Sequence, residues 1–304
     1  MKPQSVLITG GSGLVGRNLT TLLLKRGYNV SLLSHSLKTM PGIKIIPWDP
    51  INRRIDHDAL SGINYLVHLA GANIGEKRWT KTRKKEIVSS RIDSAKFLFD
   101  LIKDNHGELK AFISASAIGF YGAITSEKIY NEADPPGTDF LGDTCRQWEV
   151  AADQFGKTGI RTVKIRTAIV LEKNDAALSK LMLPAKYGFV VRTGTGHQYM
   201  PWIHIDDLCN IYLKSIEDHN MNGIYNAVSP DHVNHNDFVR TMAHVMKKPV
   251  FLPPVPAFIL RAALGEMSVV ILNGSRISSE KIINSGYNFI HPDLEEALTN
   301  IIYR

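Results

Sequence analysis

Residues 9–16 read TGGSGLVG, between the apolar run SVLIT (Ser5–Thr9) and LVGRNLTTLLLKRG, where Leu19, Leu22 and Leu23 recur at helical spacing before Gly27. A short, uninterrupted apolar run is what a strand buried on both faces requires. The glycines fit both Gly-x-x-Gly-x-x-Gly (Gly10, Gly13, Gly16) and Gly-x-Gly-x-x-Gly (Gly11, Gly13, Gly16). They allow a tight turn and let backbone N–H groups approach a pyrophosphate, to which the N-terminus of the following helix adds its positive dipole end. In this strand–turn–helix setting the spacing predicts dinucleotide binding through Gly10, Gly11, Ser12, Gly13, Leu14, Val15 and Gly16.

Outward from this loop the same rhythm repeats. YNVSLL, IKIIPW, NYLVHLA, KAFISAS and RTVKIRTAIVL read as strands two to six. A long helix, roughly Thr82 to Asp104, carries Ile87, Ile92, Ala95, Leu98, Phe99 and Ile102 on one stripe, and another begins near LGDTCRQWE (Leu141–Glu149). Alternating strands and helices predict an α/β fold with a doubly wound parallel sheet covered on both faces. After Leu171 the rhythm loosens. The expected division is a nucleotide-binding core in residues 1–171, then a mixed segment, 172–304, that completes the core and forms a smaller C-terminal α/β lobe.

The end of the second strand selects the dinucleotide. An acid there holds a ribose 2′-hydroxyl, whereas a basic residue holds a 2′-phosphate. Here the chain reads SHSLK (Ser34–Lys38), with no acid, His35 and a nearby lysine. NADP is therefore expected over NAD, with Ser34 and His35 as contacts.

The chain has 304 residues, a net charge of +7 and two cysteines, Cys145 and Cys209, far apart in sequence. That is no disulfide framework, and no signal-peptide pattern precedes the first strand, so a reducing cytoplasm is the expectation. The most apolar stretch, VPAFILRAALGEMSVVIL from Val255, is interrupted by Arg261 and Glu266, so no membrane span is expected. Six basic residues fall in the nine positions KRWTKTRKK (Lys77–Lys85). A solvated helix face, an edge meeting an anionic small ligand, and a nucleic-acid surface all fit such a run. The rest of the chain lacks the interleaved aromatics and second basic stripe of a nucleic-acid groove, so no nucleic-acid partner is expected.

The glycine loop, HLAG (His68–Gly71) and SASAIGFYG after the fifth strand together resemble the extended short-chain dehydrogenase/reductase superfamily, which includes the sugar-nucleotide epimerases. KRW, KKEIVSSR, WEVAAD, PWIHIDDL, GIYNAVSP and the tail GEM…ILNGSR…GY resemble one atypical subgroup, labelled epimerase family protein or nucleoside-diphosphate-sugar epimerase. The resemblance implies a Rossmann fold binding NADP(H), a small-molecule substrate such as a nucleotide sugar, and the homodimer usual for such folds. It implies cofactor contacts from the glycine loop, Ser34, His35, Leu69, Ala70, Gly71, Glu86, Arg91 and Val170. The subgroup usually carries arginine where this chain has His35, and Arg91 stands where many relatives keep an asparagine.

Active members of the superfamily use a tyrosine acid/base with a lysine four residues on. Aligned on Glu149, this chain has Leu141 and Cys145 at those positions, and a one-residue shift gives Phe140 and Thr144. The usual pair is missing, as is known of the subgroup. Three readings of Cys145 stay open: apolar filler beside the cofactor, weak proton donor or acceptor, and redox-sensitive thiol. The superfamily's upstream serine remains as Ser116 or Ser114. Tyr121, otherwise a packing residue under the cleft, is the replacement candidate for acid/base and Ser116 for polarising a carbonyl. Ser116, Tyr121 and Cys145 thus form the candidate catalytic set of an NADP-dependent epimerase or oxidoreductase, with a non-catalytic NADP-binding sensor or scaffold as the alternative. No metal site is expected. HVNHND (His232–Asp237) fits a helix start at Asn234 better than a ligand set, and HIDD at His204 fits a helix cap. GTGHQYMPW (Gly194–Trp202), with Arg192 just before it, is read either as a substrate loop or as loop packing.

Overall fold

Apolar runs and helical stripes settle into strands and helices over most of the chain; the computed structural model describes residues 3–34, 42–103, 107–173 and 176–303. The first half contributes β1 (Ser5–Thr9), α1 (Leu14–Lys25), β2 (Asn29–Ser34), β3 (Lys44–Asp49), β4 (Arg54–Ile55), β5 (Tyr65–His68), α2 (Lys81–Ile102), β6 (Ala111–Ala117) and β7 (Ile129–Tyr130). Next come α3 (Phe140–Lys157), β8 (Arg161–Thr167), β9 (Ile169–Leu171), α4 (Ala176–Met182), β10 (Val190–Thr193), β11 (Trp202–His204), α5 (Ile205–Glu217) and β12 (Gly223–Ala227). The chain closes with α6 (His235–Met246), β13 (Val250–Val255), α7 (Ala257–Leu264), α8 (Val269–Leu272), β14 (Arg276–Ile277), α9 (Glu280–Asn284) and α10 (Leu294–Tyr303).

The main sheet runs β12-β8-β6-β5-β1-β2-β3-β4, parallel throughout except for β4, which pairs antiparallel with β3. Strand order reverses between β1 and β5, and the carboxyl ends of such a pair open the crevice where α/β sheets bind ligands. Thr9 and His68 stand opposite each other in that register. Alternation along β1 feeds two cores: Val6 and Ile8 pack with Leu19 and Leu23 of α1 and Leu208 and Tyr212 of α5. Leu7 packs instead with Phe97 and Leu98 of α2 and Phe155 of α3. The sheet is thus covered on both faces, as expected.

Capping fixes the helix starts. Thr80 accepts from the Arg83 amide and begins α2 at Lys81, slightly before the expected Thr82. The expected end at Asp104 lies outside the described residues. Asp139, His204 and Asn234 cap α3, α5 and α6 in the same way. The sixth strand differs from expectation. β8 ends at Thr167, where the Ala168 amide still donates to Ala227, but the Ile169 amide donates to Pro201 instead. β9 therefore leaves the main sheet and pairs in parallel with β11. No turn residue marks this break in the sequence; only the partner changes.

A second apolar cluster joins Leu171, Leu178, Val190, Trp202, Phe238, Met242 and Leu298. Asp207, fully buried in α5, ties the tail to the main sheet's cover. Its carboxylate accepts from the Tyr287 hydroxyl (2.7 Å) and from the amides of Ile290 (2.7 Å) and His291 (2.9 Å). Asp207→Ala leaves both amides without their acceptor. It is expected to lower unfolding stability by at least about 2 kcal/mol in urea titrations; a loss below about 0.5 kcal/mol, the scale of ordinary surface changes, would contradict this anchoring.

Candidate functional site

The glycine loop is shaped by close backbone approach. Gly10 has φ +68°, and a Cβ there would lie 2.8 Å from the Leu69 carbonyl. At Gly16 it would lie 2.5 Å from Gly10 O and 2.6 Å from Gly11 Cα. Gly13 is the N-cap of α1 in extended geometry and brings no side-chain cap. The Thr9 hydroxyl accepts from the amides of Leu69 and Ala70, both at 3.1 Å, and so donates its own proton to His68 Nδ1 at 2.8 Å. His68 Nε2 then carries the proton that meets Ser94 Oγ at 3.2 Å, and burial lowers the His68 pKa to about 4. This neutral imidazole pins HLAG beside the glycine loop.

The wall continues through Arg91. A Cβ on Gly71 would stand 3.0 Å from Arg91 Cζ, and the guanidinium lies 5.1 Å over the Trp148 ring. Burial lowers the Arg91 pKa to about 10, opposed by the Cys145 thiol, so the group remains cationic at neutral pH. Val170 packs in the same cluster as Leu14, Val15 and Leu69. Ser34 ends β2 opposite Pro47, whereas His35 and Lys38 lie outside the described residues. Glu86 is exposed and paired with Arg83 at 2.8 Å.

The candidate catalytic residues sit in a polar row that the sequence did not reveal as a unit. Ser116 of β6, Arg166 of β8 and Asn226 of β12 are register partners across three adjacent strands. Above them, Glu149 of α3 receives both Arg166 Nε (2.7 Å) and Nη2 (2.9 Å), a bidentate pair with Arg166 only 1 % and Glu149 only 5 % exposed. Ser116 donates to the same carboxylate at 2.7 Å. Tyr121 donates to Asn226 at 2.7 Å and accepts from Arg166 Nη1 at 3.0 Å. Arg166 Cζ also lies 3.4 Å over the Phe120 ring. Four residues on from Glu149, Asp153 pairs with Lys164, two residues before Arg166. A four-residue helix step is about 6 Å and a two-residue strand step about 6.6 Å, so the two pairs match as α3 runs back along β8. The signal was present: two bases two apart in a buried strand, and two acids four apart on the preceding helix.

These bonds decide what each candidate can do. A carboxylate only accepts, so Ser116 spends its proton on Glu149 and has none with which to polarise a carbonyl. The Tyr121 hydroxyl is 2 % exposed and engaged on both sides, and burial pushes its pKa up to about 12. Leu141 and Cys145 both face the turn after β6: a Cβ on Gly119 would meet Leu141 Cβ at 3.4 Å and Cys145 Sγ at 3.7 Å. Phe140 packs on Trp79, with ring centroids 5.1 Å apart, and Thr144 is buried with its hydroxyl donating to the Phe140 carbonyl. Burial first, then the Glu149 carboxylate, pushes the Cys145 thiol up to about 12.

Part of each of the other sequence signals is engaged in packing, while Lys77, Lys81 and Lys85 stay exposed. In the basic run Arg83 is buried on Glu76, Glu86 and the Asn73 carbonyl, Lys84 pairs with Glu266, and Arg78 donates to Ala262 O. In the Gly194–Trp202 loop Gln198 donates to Thr193 and Ile271 carbonyls, and the Tyr199 hydroxyl joins Glu127 and Arg276. His235 accepts from the Thr193 amide at 3.0 Å, apart from His232. Among the described residues no helix is long and apolar enough to cross a membrane.

Residues 6–141 match the family model described as NAD dependent epimerase/dehydratase, and residues 255–301 match a domain of unknown function. An epimerase family protein of Bacillus subtilis, YfhF, is 33% identical over 301 residues, covering 98% of each chain. The epimerase family protein SDR39U1 of Mus musculus is 32% identical over 98% of this chain and 99% of its own. The crystal structure of human SDR39U1 with NADPH superposes with a TM-score of 0.88 at 30% identity, covering 99% of this chain and 100% of that one. A UDP-glucuronic acid 4-epimerase from Bacillus cereus, in complex with NAD, shares the fold at 20% identity and a TM-score of 0.77.

Both cysteines are free and buried. With thiol pKa values near 12, neither is expected to react with a disulfide reagent at pH 8 in the folded protein, and both are expected to react in denaturant. The proton that folded Cys145 retains is lost by the unfolded chain above about 9, so its contribution to stability falls as pH rises from about 9 toward 12. One equivalent reacting rapidly in the native state would restore the redox reading.

Proposed function

This chain belongs to the NAD-dependent epimerase/dehydratase family, and from that premise we propose that it binds NADP(H) and serves as a nucleotide-responsive binding protein rather than an efficient epimerase. The fit to a dinucleotide rests on the loop itself. The space that Cβ atoms on Gly10 and Gly16 would fill is taken by backbone, and no side chain caps the amides at the start of α1. Gly10, Gly11, Ser12 and Gly13 would hold the pyrophosphate, with Leu69, Ala70, Gly71, Arg91 and Val170 along the nicotinamide side and Ser34 and His35 at the adenosine end. The preference for NADP rests on the absence of an acid in SHSLK, and the NADPH in the human relative supports it. When bound, the cofactor supplies a hydride donor or acceptor.

The observation carrying the non-catalytic reading is the polar row. Reversible hydride transfer at a sugar carbon needs a group that gives and takes a proton at the oxygen. Ser116 donates into Glu149, Tyr121 is buried with its hydroxyl held on both sides, and Cys145 is a neutral, buried thiol. One observation favours residual turnover: Arg91 keeps its positive charge beside Gly71, where it would stabilise a developing alkoxide without proton transfer. The mixed segment 172–304 is proposed to close the ligand side, and a nucleotide sugar is the ligand class that the family favours.

Gly13→Asp separates binding from folding. As an N-cap, aspartate satisfies α1 amides and leaves stability within roughly 1 kcal/mol, while its carboxylate occupies pyrophosphate space. Calorimetric titration is expected to show NADPH binding tighter than NADH, and at least about 100-fold weaker NADPH binding in Gly13→Asp, a loss of about 2.7 kcal/mol. With nucleotide sugars, turnover is expected about 10²–10⁴-fold below that of enzymes retaining an acid/base. Unchanged affinity in Gly13→Asp would overturn the cradle; turnover near the typical enzyme rate of about 10 s⁻¹ would overturn the non-catalytic reading.

A further inference from the structure

We infer that His204, Asp206 and His291 form a binding site for a divalent transition-metal ion of the zinc class. His204 ends β11 and caps α5; Asp206 lies in the first turn of α5; His291 precedes α10. One ligand atom from each residue lies within 4.8 Å of the other two, and the two imidazole centroids are 3.9 Å apart. Asp206 Oδ2 is 3.8 Å from His204 Nδ1 and 3.9 Å from His291 Nε2. A tetrahedral ion with bonds of about 2.0–2.2 Å places its ligands roughly 3.3–3.5 Å apart. The two Asp206 pairs therefore need to contract by about half an ångström and the two imidazole nitrogens by up to about 1.5 Å to close the site.

The surroundings favour a ligand set over a chance contact. The His291 backbone is fixed by Asp207, and its Nδ1 meets Glu296 Oε1 at 3.0 Å. That carboxylate holds the proton on Nδ1 and leaves the Nε2 lone pair toward Asp206, the carboxylate–histidine–metal arrangement that fixes tautomer and raises ligand basicity. His204 Nδ1 is likewise a lone-pair nitrogen, since it accepts the Asp206 amide at 3.1 Å. That nitrogen has a single in-plane lone pair, so the ion would displace the Asp206 amide from it, and moderate affinity is expected. Both histidines are buried while Asp206 is 37 % exposed, which gives an entry path and a fourth position for water. Two imidazoles and one carboxylate suit zinc, cobalt or nickel, and supply too few oxygens for calcium or magnesium. The ion would join the start of α5 to the segment leading into α10, the same two parts of the chain that Asp207 clamps.

The test is titration of the chelator-stripped protein with Co²⁺, followed by displacement with Zn²⁺. One equivalent with the visible bands of a four-coordinate site is expected. Zn²⁺ is expected to raise the melting temperature. Asp206→Asn and His291→Gln are each expected to weaken Co²⁺ binding at least about 10-fold, and Glu296→Gln about 10-fold; His232→Gln leaves it unchanged. Circular dichroism checks each fold, and Asp206→Asn, at the exposed edge, decides the matter where His291→Gln does not fold. Absence of saturable Co²⁺ binding, or binding unchanged in Asp206→Asn, overturns the site.

Discussion

Glu149 and Arg166 share a bidentate ion pair closed off from water, and three strands, one helix and the turn after β6 take their relative positions from it. Burying two charges costs several kcal/mol each and is recovered only where geometry is good and the remaining hydrogen-bonding capacity is used. Here it is used. Ser116 adds a third donor to the carboxylate, Tyr121 accepts from the guanidinium, and Phe120 lies against the guanidinium's face. Neither charge can leave without stranding the other, and the loss, about 3–5 kcal/mol, is a large part of the 5–15 kcal/mol that holds a typical domain together.

The same pair governs the chemistry. In relatives with a tyrosine–lysine couple, a cation sits four residues from a phenol and keeps it ready to move a proton. On the alignment expected from Glu149, those positions are Leu141 and Cys145 here. The buried cation comes from β8, and it holds a different tyrosine from behind. A hydroxyl bonded on both sides is an anchor, and a serine donating to a carboxylate has only lone pairs left. The thiol is neutral because burial and Glu149 both disfavour its anion. Arg91 is the charged side chain beside the HLAG turn. What remains is a glycine loop shaped by close backbone approach and a buried, mutually bonded polar row.

Much of this was legible from residue order, where cause and effect are local. TGGSGLVG carries part of its own geometry, since the close approaches at Gly13 and Gly16 fall within the loop, whereas Gly10 meets Leu69 and Gly11 meets Leu32. Asn234 and His204 cap helices from within three residues, as their sequence contexts implied. The misses are long-range. Tyr121 finds Asn226 across 105 positions, and Arg78 and Lys84 find Ala262 and Glu266 across more than 180. Lys77, Arg78, Lys81 and Lys85 of the charge run are exposed, as a solvated face implies, while Arg83 and Lys84 are drawn in by their partners. The direction of the Ser116 proton depends on Glu149, 33 residues on. RTVKIRTAIVL reads as one strand because its β-branched residues continue without a turn residue, although its hydrogen-bond partner changes at Ile169.

The most direct test is a double-mutant cycle on the pair, with unfolding free energies from urea titration of Glu149→Gln, Arg166→Met and the double variant. Each single change strands a buried partner and is expected to cost about 3–5 kcal/mol, whereas the double removes both charges and costs less than their sum by roughly 2 kcal/mol or more. Additive losses, with no coupling, would mean that the two side chains act independently and that the floor of the site is not built on their pairing.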